Sequence, residues 1–283
     1  MHQKNGSILN KIRYIRIVKT MKNTMVLLVI LLAIIQCKAQ NTLKWNGKKC
    51  AVVLTYDDAL NVHLDKVIPQ LNAYNFKGTF YLIGSSPNVS NRIDEWRTAA
   101  AQGHELGNHT LNHPCAGDLP GRDWTKGEND LTRYSVYRAT HEIKVCNTLL
   151  EAIDGKKERT FAYPCGDLMI RDTLFYKYSE QEFVCARGVE TGYLPMDNVD
   201  MSNVNAFAAI GSTAEQMIEQ VKNAEEAGSF VVFIFHGVGG EHSLNVDLEE
   251  HRKLLEYLKK NEGNIWVAPM VEVAKYISEV SEQ

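Results

Sequence analysis

Apolar, β-branched runs alternate along the chain with segments in which apolar residues recur every three or four positions. The runs predict strands at residues 50–56, 78–83, 105–108, 160–163, 183–186, 230–235 and 265–268. The recurring segments predict helices at residues 60–75, 92–102, 130–153, 171–179, 213–227, 246–261 and 270–280. This alternation predicts an α/β fold, a distorted (β/α) barrel of about seven parallel strands with its helices outside.

The first 39 residues have a different pattern from the rest. They carry seven Lys and Arg, no Asp or Glu, and an unbroken apolar run at residues 25–35. A basic segment followed by such a short run is typical of a secretory signal peptide, because a membrane span needs about 20 apolar residues. We therefore expect residues 1–39 to be an extension plus signal peptide, with translation starting at Met21. Residues 40–283 are predicted to form one domain.

This leader predicts export to the periplasm or the extracellular space, with no stable membrane span after cleavage. Anchoring as a lipoprotein through Cys37 is less favoured, because Gln36 before it fits that signal poorly.

Charge argues against one class of partner. The net charge of −3 for the whole chain becomes −10 once residues 1–39 are removed. A protein this acidic is a poor binder of nucleic acid or anionic membranes, whereas neutral or cationic glycans are compatible with it. Nothing in the sequence implies an obligate protein partner.

Five cysteines follow residue 39, and none of them form a CxxC pair: Cys50, Cys115, Cys146, Cys165 and Cys185. This spacing argues against a structural zinc site. Export permits disulfides, but the sequence leaves their pairing open. Cys50, Cys165 and Cys185 lie in or beside apolar runs, so they are interpreted as small buried hydrophobes.

Residues that bind metals or move protons end several predicted strands. Asp57 and Asp58 end the first strand, His109 follows the third, and His236 ends the most apolar one. Because the carboxyl ends of parallel strands meet at one mouth of a barrel, these side chains should lie close together.

These residue types suit a metal-assisted hydrolase. On a helical turn, the four-residue spacing of His109 and His113 would place both imidazoles on one face. With Asp58 they would form a two-His, one-carboxylate site. Adjacent carboxylates repel unless a cation lies nearby, and side chains alternate along a strand, so Asp57 should have a separate role. The alternatives are two ordinary histidines flanking a turn, and an Asp-Asp turn that caps the next helix.

His236 has the neutral-range pKa of a general acid, although a strand-end histidine can also be a hydrogen-bonded core residue. His63 and His242 could edge a substrate groove, but we favour their interpretation as solvated or capping residues.

The motifs Thr55-Tyr56-Asp57-Asp58, His109-Thr110-Leu111-Asn112-His113 and Ile234-Phe235-His236 resemble those of the polysaccharide deacetylase family, the NodB-like carbohydrate esterases of family 4. The resemblance covers about residues 50–277 and implies a NodB-type barrel. It implies that Asp57 is the base, that His236 is the acid, and that the backbone N–H of Cys165 faces the oxyanion. It assigns one divalent metal to Asp58, His109 and His113, with Zn²⁺ favoured over Co²⁺, Ni²⁺ or Fe²⁺.

The resemblance also places five residues around this set, with supporting or substrate-binding roles: Asn108, Tyr163, Pro164, Asp197 and Asp200. Three positions depart from the family pattern. Ala59 replaces a glycine, Ala162 replaces an arginine that orients the base, and Met201 replaces a tryptophan after the Asp197–Asp200 motif.

The sequence therefore predicts a secreted, metal-dependent deacetylase of an acetylated polysaccharide or oligosaccharide. One alternative is a non-catalytic glycan-binding relative, which would be expected to have lost Asp57 or His236. The other is a two-His, one-carboxylate iron oxygenase, which this α/β pattern disfavours. The sequence does not distinguish N-acetyl from O-acetyl substrates.

Overall fold

The structure is a computed structural model. It describes residues 22, 25, 45–125 and 127–281. The predicted cleavage site and Cys37 lie outside the described residues, as does nearly all of the predicted signal peptide. Within the described part, no helix combines the length and the apolar character that a membrane span requires.

The strands are β1 (Cys50–Asp57), β2 (Thr79–Leu82), β3 (Glu105–Asn108), β4 (Phe161–Ala162), β5 (Met169–Ile170), β6 (Thr173–Leu174), β7 (Ala186–Arg187), β8 (Phe207–Ala208), β9 (Phe230–Phe235), β10 (Gly237–Val238), β11 (Asn245–Val246) and β12 (Ile265–Val267). The α-helices are α1 (Ile68–Ala73), α2 (Pro87–Ser90), α3 (Ile93–Ala101), α4 (Val136–Asp154), α5 (Ala214–Ala227), α6 (Leu248–Lys260) and α7 (Met270–Ser281). A π-helical turn, His63–Val67, leads directly into α1.

The main sheet is parallel and has β1 at its centre. Its order is β7-β4-β3-β2-β1-β9-β8, and β12 pairs with the first half of β1. Residues 204–208 link the two ends of this order, because Val204 bridges to Arg187 while β8 pairs with β9. The sheet therefore wraps into a distorted barrel of parallel strands, which confirms the predicted fold class.

Apolar side chains alternate between the two faces of the barrel wall. Along β1, Val52 and Leu54 pack into one core cluster, whereas Ala51 and Val53 pack into another. All eight residues of β1 are buried. This double-sided burial explains why the central strands are continuous apolar runs, and it leaves polar residues to the strand ends.

The helix boundaries follow their caps. Thr213 and Gln216 form a capping box at the start of α5, which ends at Gly228 with φ of 60°. Helix α4 begins at Val136, six residues later than predicted. A 3₁₀ turn precedes it, and the hydroxyl of Ser135 accepts from the N–H of Arg138.

One predicted helix was wrong, and several short strands were missed. Residues 171–179, predicted as a helix, form β6 and a 3₁₀ turn, Phe175–Tyr178. Strand β8 was not predicted, because two residues are too few to show an apolar period.

Candidate active site

One cavity of about 280 Å³ opens at the carboxyl ends of β1 and β9. Asp57, Asp58, His109, His113 and His236 all line it. The parallel strands thus bring together residues that are up to 179 positions apart in the chain.

Asp58 lies between the two histidines that follow β3. Its Oδ1 is 3.5 Å from His109 Nε2 and 3.4 Å from His113 Nε2. One ligand atom from each of the three residues lies within 4.8 Å of the others. This is the size of a site that surrounds a single metal ion.

A loop of unusual backbone, not the helical turn considered above, brings the two imidazoles together. Thr110 and His113 have φ of 62° and 52°. The side-chain oxygen of Asn108 accepts from the N–H of Thr110 at 2.8 Å, and the hydroxyl of Thr110 accepts from the N–H of His113 at 2.9 Å. Asn108 therefore shapes the loop of residues 109–113, which carries both candidate ligand histidines and is called the ligand loop below.

The hydrogen bond of His109 selects a tautomer suited to metal binding. Its Nδ1 lies 2.8 Å from the carbonyl of Ala162, which can only accept, so Nδ1 donates. In the neutral ring, Nε2 then carries a lone pair toward Asp58. Burial lowers the pKa of His109 to about 3, and it also lowers the pKa of His113.

The carboxylates point to a cation at the same place. Asp57 Oδ1 and Asp58 Oδ1 are buried and accept no hydrogen bond from the described residues. Burial, and then the charge of Asp57, raises the pKa of Asp58. Unpartnered carboxylate oxygens beside two neutral imidazoles fit a divalent metal with nitrogen and oxygen ligands.

Asp57 forms a buried ion pair that the sequence analysis missed. Its Oδ2 accepts from Arg187 Nη2 at 2.5 Å, and both side chains are nearly inaccessible to solvent. Arg187 pairs in register with Ala162 across β4 and β7. The guanidinium expected at residue 162 is thus supplied by the neighbouring strand.

The ion pair determines the charge of Asp57. Burial raises the pKa of this carboxyl, but the charge and hydrogen bond of Arg187, together with the neighbouring imidazoles, outweigh burial, so the net pKa lies below the usual range. Asp57 is therefore a carboxylate at neutral pH.

His236 faces the cluster of Asp58, His109 and His113 from the end of β9. Its Nε2 lies 3.9 Å from Asp58 Oδ2, and burial lowers its pKa. Its Nδ1 has no hydrogen-bond partner among the described residues. His63 donates from Nε2 to the carbonyl of His236 at 2.8 Å. His63 is fully buried, so its interpretation as a solvated or capping residue was wrong.

Asp197 and Asp200, predicted to support the site or bind substrate, are not among the residues that line the cavity. Both are exposed, and Asp200 Oδ1 accepts from the N–H and hydroxyl of Ser202. Asp200 therefore caps a turn in the segment between β7 and β8, where its hydrogen bonds are local. Tyr163 lines the cavity, and its hydroxyl donates to the carbonyl of Ser202.

The turn after β4 is tied to the ligand loop by a disulfide. Pro164 is buried at the start of this 3₁₀ turn, and Cys165, with φ of 56°, lines the cavity. Cys165 is bonded to Cys115, two residues beyond His113. The interpretation of Cys165 as a buried hydrophobe was therefore wrong, whereas those of Cys50 and Cys185 are confirmed. Because both sulfurs are in the disulfide, they are not thiolate ligands.

The remaining cavity wall is largely apolar. Trp124, Val189, Ile210 and Leu244 supply apolar surface, and His242 supplies a further imidazole. His242 was interpreted as solvated or capping, but it faces the site.

A family model supports the resemblance noted above. The model "Polysaccharide deacetylase" matches residues 44–184, which include Asp57, Asp58 and both ligand histidines. His236 lies beyond the match, so the matched range is shorter than the residues 50–277 predicted from the motifs.

Among curated proteins, the Bacillus subtilis protein YlxY is 30% identical over 106 residues, which are 38% of this chain and 28% of YlxY. The peptidoglycan-N-acetylglucosamine deacetylase of Bacillus cereus is 38% identical over 71 residues, 23% of this chain and 24% of the relative. The chain thus aligns with under a third of each of these relatives.

A solved structure supports the fold independently. A Mycobacterium smegmatis protein described as a polysaccharide deacetylase matches 83% of this chain and 92% of its own, with a TM-score of 0.60 and 15% identity. By its sequence matches, the chain belongs to the polysaccharide deacetylase family.

Proposed function

We propose that this protein is a metal-dependent hydrolase that removes acetyl groups from a carbohydrate and releases acetate. The observation that carries the proposal is one cavity that holds Asp58, His109 and His113 beside the Asp57–Arg187 pair, with His236 at the end of the neighbouring strand β9. Relatives named for peptidoglycan-N-acetylglucosamine and chitooligosaccharide deacetylation support the substrate class.

Asp58, His109 and His113 would hold the metal. Two imidazole nitrogens and one carboxylate suit Zn²⁺, with Co²⁺, Ni²⁺ and Fe²⁺ as alternatives. When bound, a divalent ion supplies Lewis acidity and lowers the pKa of water. The chain contributes ligands preset for binding, because the hydrogen bond from His109 to Ala162 directs its lone pair into the site.

Asp57 has the environment of a general base. Arg187 keeps it ionised at neutral pH, so it can take a proton from the attacking water. Its second oxygen, Oδ1, has no partner among the described residues and can accept that proton.

His236 and Cys165 complete the proposed set. From the end of β9, a protonated His236 would donate to the departing amine or alkoxide. The backbone N–H of Cys165, in the turn that lines the cavity, would stabilise the oxyanion.

The rival functions lack a specific observation in their favour. A glycan-binding relative has no need of the buried Asp57–Arg187 pair, and an oxygenase has no use for a second carboxylate beside its metal. We further propose that the protein acts after export, on an acetylated glycan outside the cytoplasm. The support is the basic and apolar pattern of residues 1–39.

Acetate release tests the proposal directly. Zinc-loaded protein should release acetate from at least one of chitooligosaccharide, peptidoglycan and acetylated xylan. The Asp57→Asn variant, which keeps the shape of the side chain, is the matched control and should release far less. Absence of acetate from every glycan with fully loaded enzyme would refute the assignment.

A further inference from the structure

The loop after β9 places a second imidazole, that of His242, beside His236. The two rings stack with their centroids 5.1 Å apart and their planes at 19°. Both Nε2 atoms face Asp58 Oδ2, at 3.9 Å from His236 and 3.8 Å from His242. Neither distance is short enough for a hydrogen bond, so both ring edges can contact a substrate in the cavity.

One hydrogen bond determines the tautomer of His242. Its Nδ1 lies 3.0 Å from the backbone nitrogen of Leu244, which can only donate. Nδ1 must therefore accept, and the proton of the neutral ring is on Nε2, the atom that faces Asp58. His242 thus offers the cavity an N–H donor. A ligand nitrogen must be unprotonated, so this arrangement argues against His242 as a fourth metal ligand.

The loop is held on both sides of His242. Glu241, with φ of 68°, accepts at its carboxylate from the backbone N–H groups of Asn61 at 3.0 Å and Val62 at 2.7 Å. On the other side, Asn245 Oδ1 accepts from the N–H of Gly240 at 2.8 Å. The donor is therefore positioned before a substrate binds, which lowers the entropy cost of using it.

We propose that His242 is a specificity-determining residue that donates its Nε2–H to a substrate oxygen next to the acetylated position. This inference rests on the proposed function, because it requires an acetylated sugar in the cavity. Val189, Ile210 and Leu244 make the nearby cavity wall apolar. A half-buried donor that a bound substrate would cover discriminates against substrates that lack its acceptor. Sugars with a neighbouring hydroxyl or ether oxygen are the substrate class that this donor recognises.

Two substitutions of His242 separate the effect of its N–H donor from the effect of its ring stacking on His236. His242→Phe keeps an aromatic ring against His236 and removes the N–H, whereas His242→Gln restores an N–H donor without the ring. Values of kcat and KM would be measured for full-length wild type and both variants. The substrates are an N-acetylated chitooligosaccharide and nitrophenyl acetate, which lacks the sugar oxygens. Zinc content would be measured in parallel.

We expect His242→Phe to lose about tenfold in kcat/KM on the sugar, mainly through KM, and little on nitrophenyl acetate. His242→Gln should recover most of the loss, and all three proteins should hold equal zinc. Equal losses on both substrates, or an unchanged rate on the sugar, would overturn the donor role. Loss of zinc from His242→Phe would instead make His242 a ligand. A wild type that cleaves the aryl ester but releases acetate from no acetylated glycan would refute the proposed function as well.

Discussion

The ends of the neighbouring strands β1 and β9 hold their proton-transfer groups in different ways. Asp57 is locked by an ion pair with Arg187, and both side chains are buried. His236 has no hydrogen bond to Nδ1 from the described residues and is held by stacking on His242. Arg187 therefore keeps the proposed base ionised, whereas the proposed acid keeps one ring nitrogen without a hydrogen bond from the described residues.

This difference has a chemical consequence. A base that must remain ionised benefits from a permanent positive charge, because Arg does not lose its proton. An acid that must gain and lose a proton would be hindered by an equally strong partner, since such a partner favours one protonation state. Substitutions of Asp57 or Arg187 should therefore affect activity differently from substitutions of His236.

The largest loss is expected for Asp57→Asn. The change keeps the side-chain shape but removes its basicity, so deacetylation should fall by about 10²–10⁴-fold on every substrate. Steady-state rates and zinc content of the same preparation would check this. Turnover close to that of the wild type would assign the base elsewhere.

Arg187→Met should impair Asp57 by removing its ion-pair partner. It leaves the buried carboxylate of Asp57 unpaired, which costs about 3–5 kcal/mol of the free energy of unfolding. Urea unfolding would measure this loss, and Arg187→Lys, which keeps the positive charge, is the control. Equal stability of wild type and Arg187→Met would contradict the ion pair.

The pH profile of Arg187→Met adds a second readout. The active base is the carboxylate, which exists above the pKa of Asp57. Arg187 lowers that pKa, so its removal should raise it and move the acid limb of kcat/KM to higher pH. An acid limb at the wild-type position would show that Arg187 does not control Asp57.

His236→Ala tests the proposed general acid. We expect about a hundredfold loss on an N-acetyl sugar, whose amine leaves poorly without a proton, and a smaller loss on nitrophenyl acetate. The acid acts when protonated, so the wild-type rate should fall as pH rises through its pKa, and the variant should lack that limb. Equal losses on the two substrates would instead indicate a positioning role.

The disulfide should have the smallest effect on rate. Cys115 and Cys165 are 50 residues apart, so Cys115→Ala with Cys165→Ala should lower stability by about 2–4 kcal/mol. The ligand loop keeps its Thr110 to His113 hydrogen bond, and Ala116 N–H still donates to Asp167. The rate should therefore fall less than in the variants above. Thermal unfolding and acetate release measure both quantities, and a larger rate loss would show that the disulfide positions His113.

The parts of the fold that follow from local pattern could be predicted from the sequence. Strands β3 and β9 were predicted residue for residue. For β9 the reason is plain, because its six buried apolar residues lie between Gly228 and Gly237. The convergence of Asp57, His109 and His236 followed from the parallel order of the strands.

The parts that depend on tertiary register could not be predicted. Arg187 reaches Asp57 only because β7 lies beside β4, and nothing near residue 57 indicates a partner 130 positions away. The pairing of Cys115 with Cys165 has the same origin. The role of His242 depends on one hydrogen bond from Leu244, which no spacing rule describes.

Metal content measured together with acetate release tests the central claim most directly. Protein stripped with a chelator should release no acetate from an active glycan, and titrated Zn²⁺ should restore the rate with a break at one ion per chain. His113→Ala should bind Zn²⁺ far more weakly, because two ligands rarely retain the ion against water. Full activity after stripping, or undiminished zinc in His113→Ala, would contradict a metal centre built from Asp58, His109 and His113.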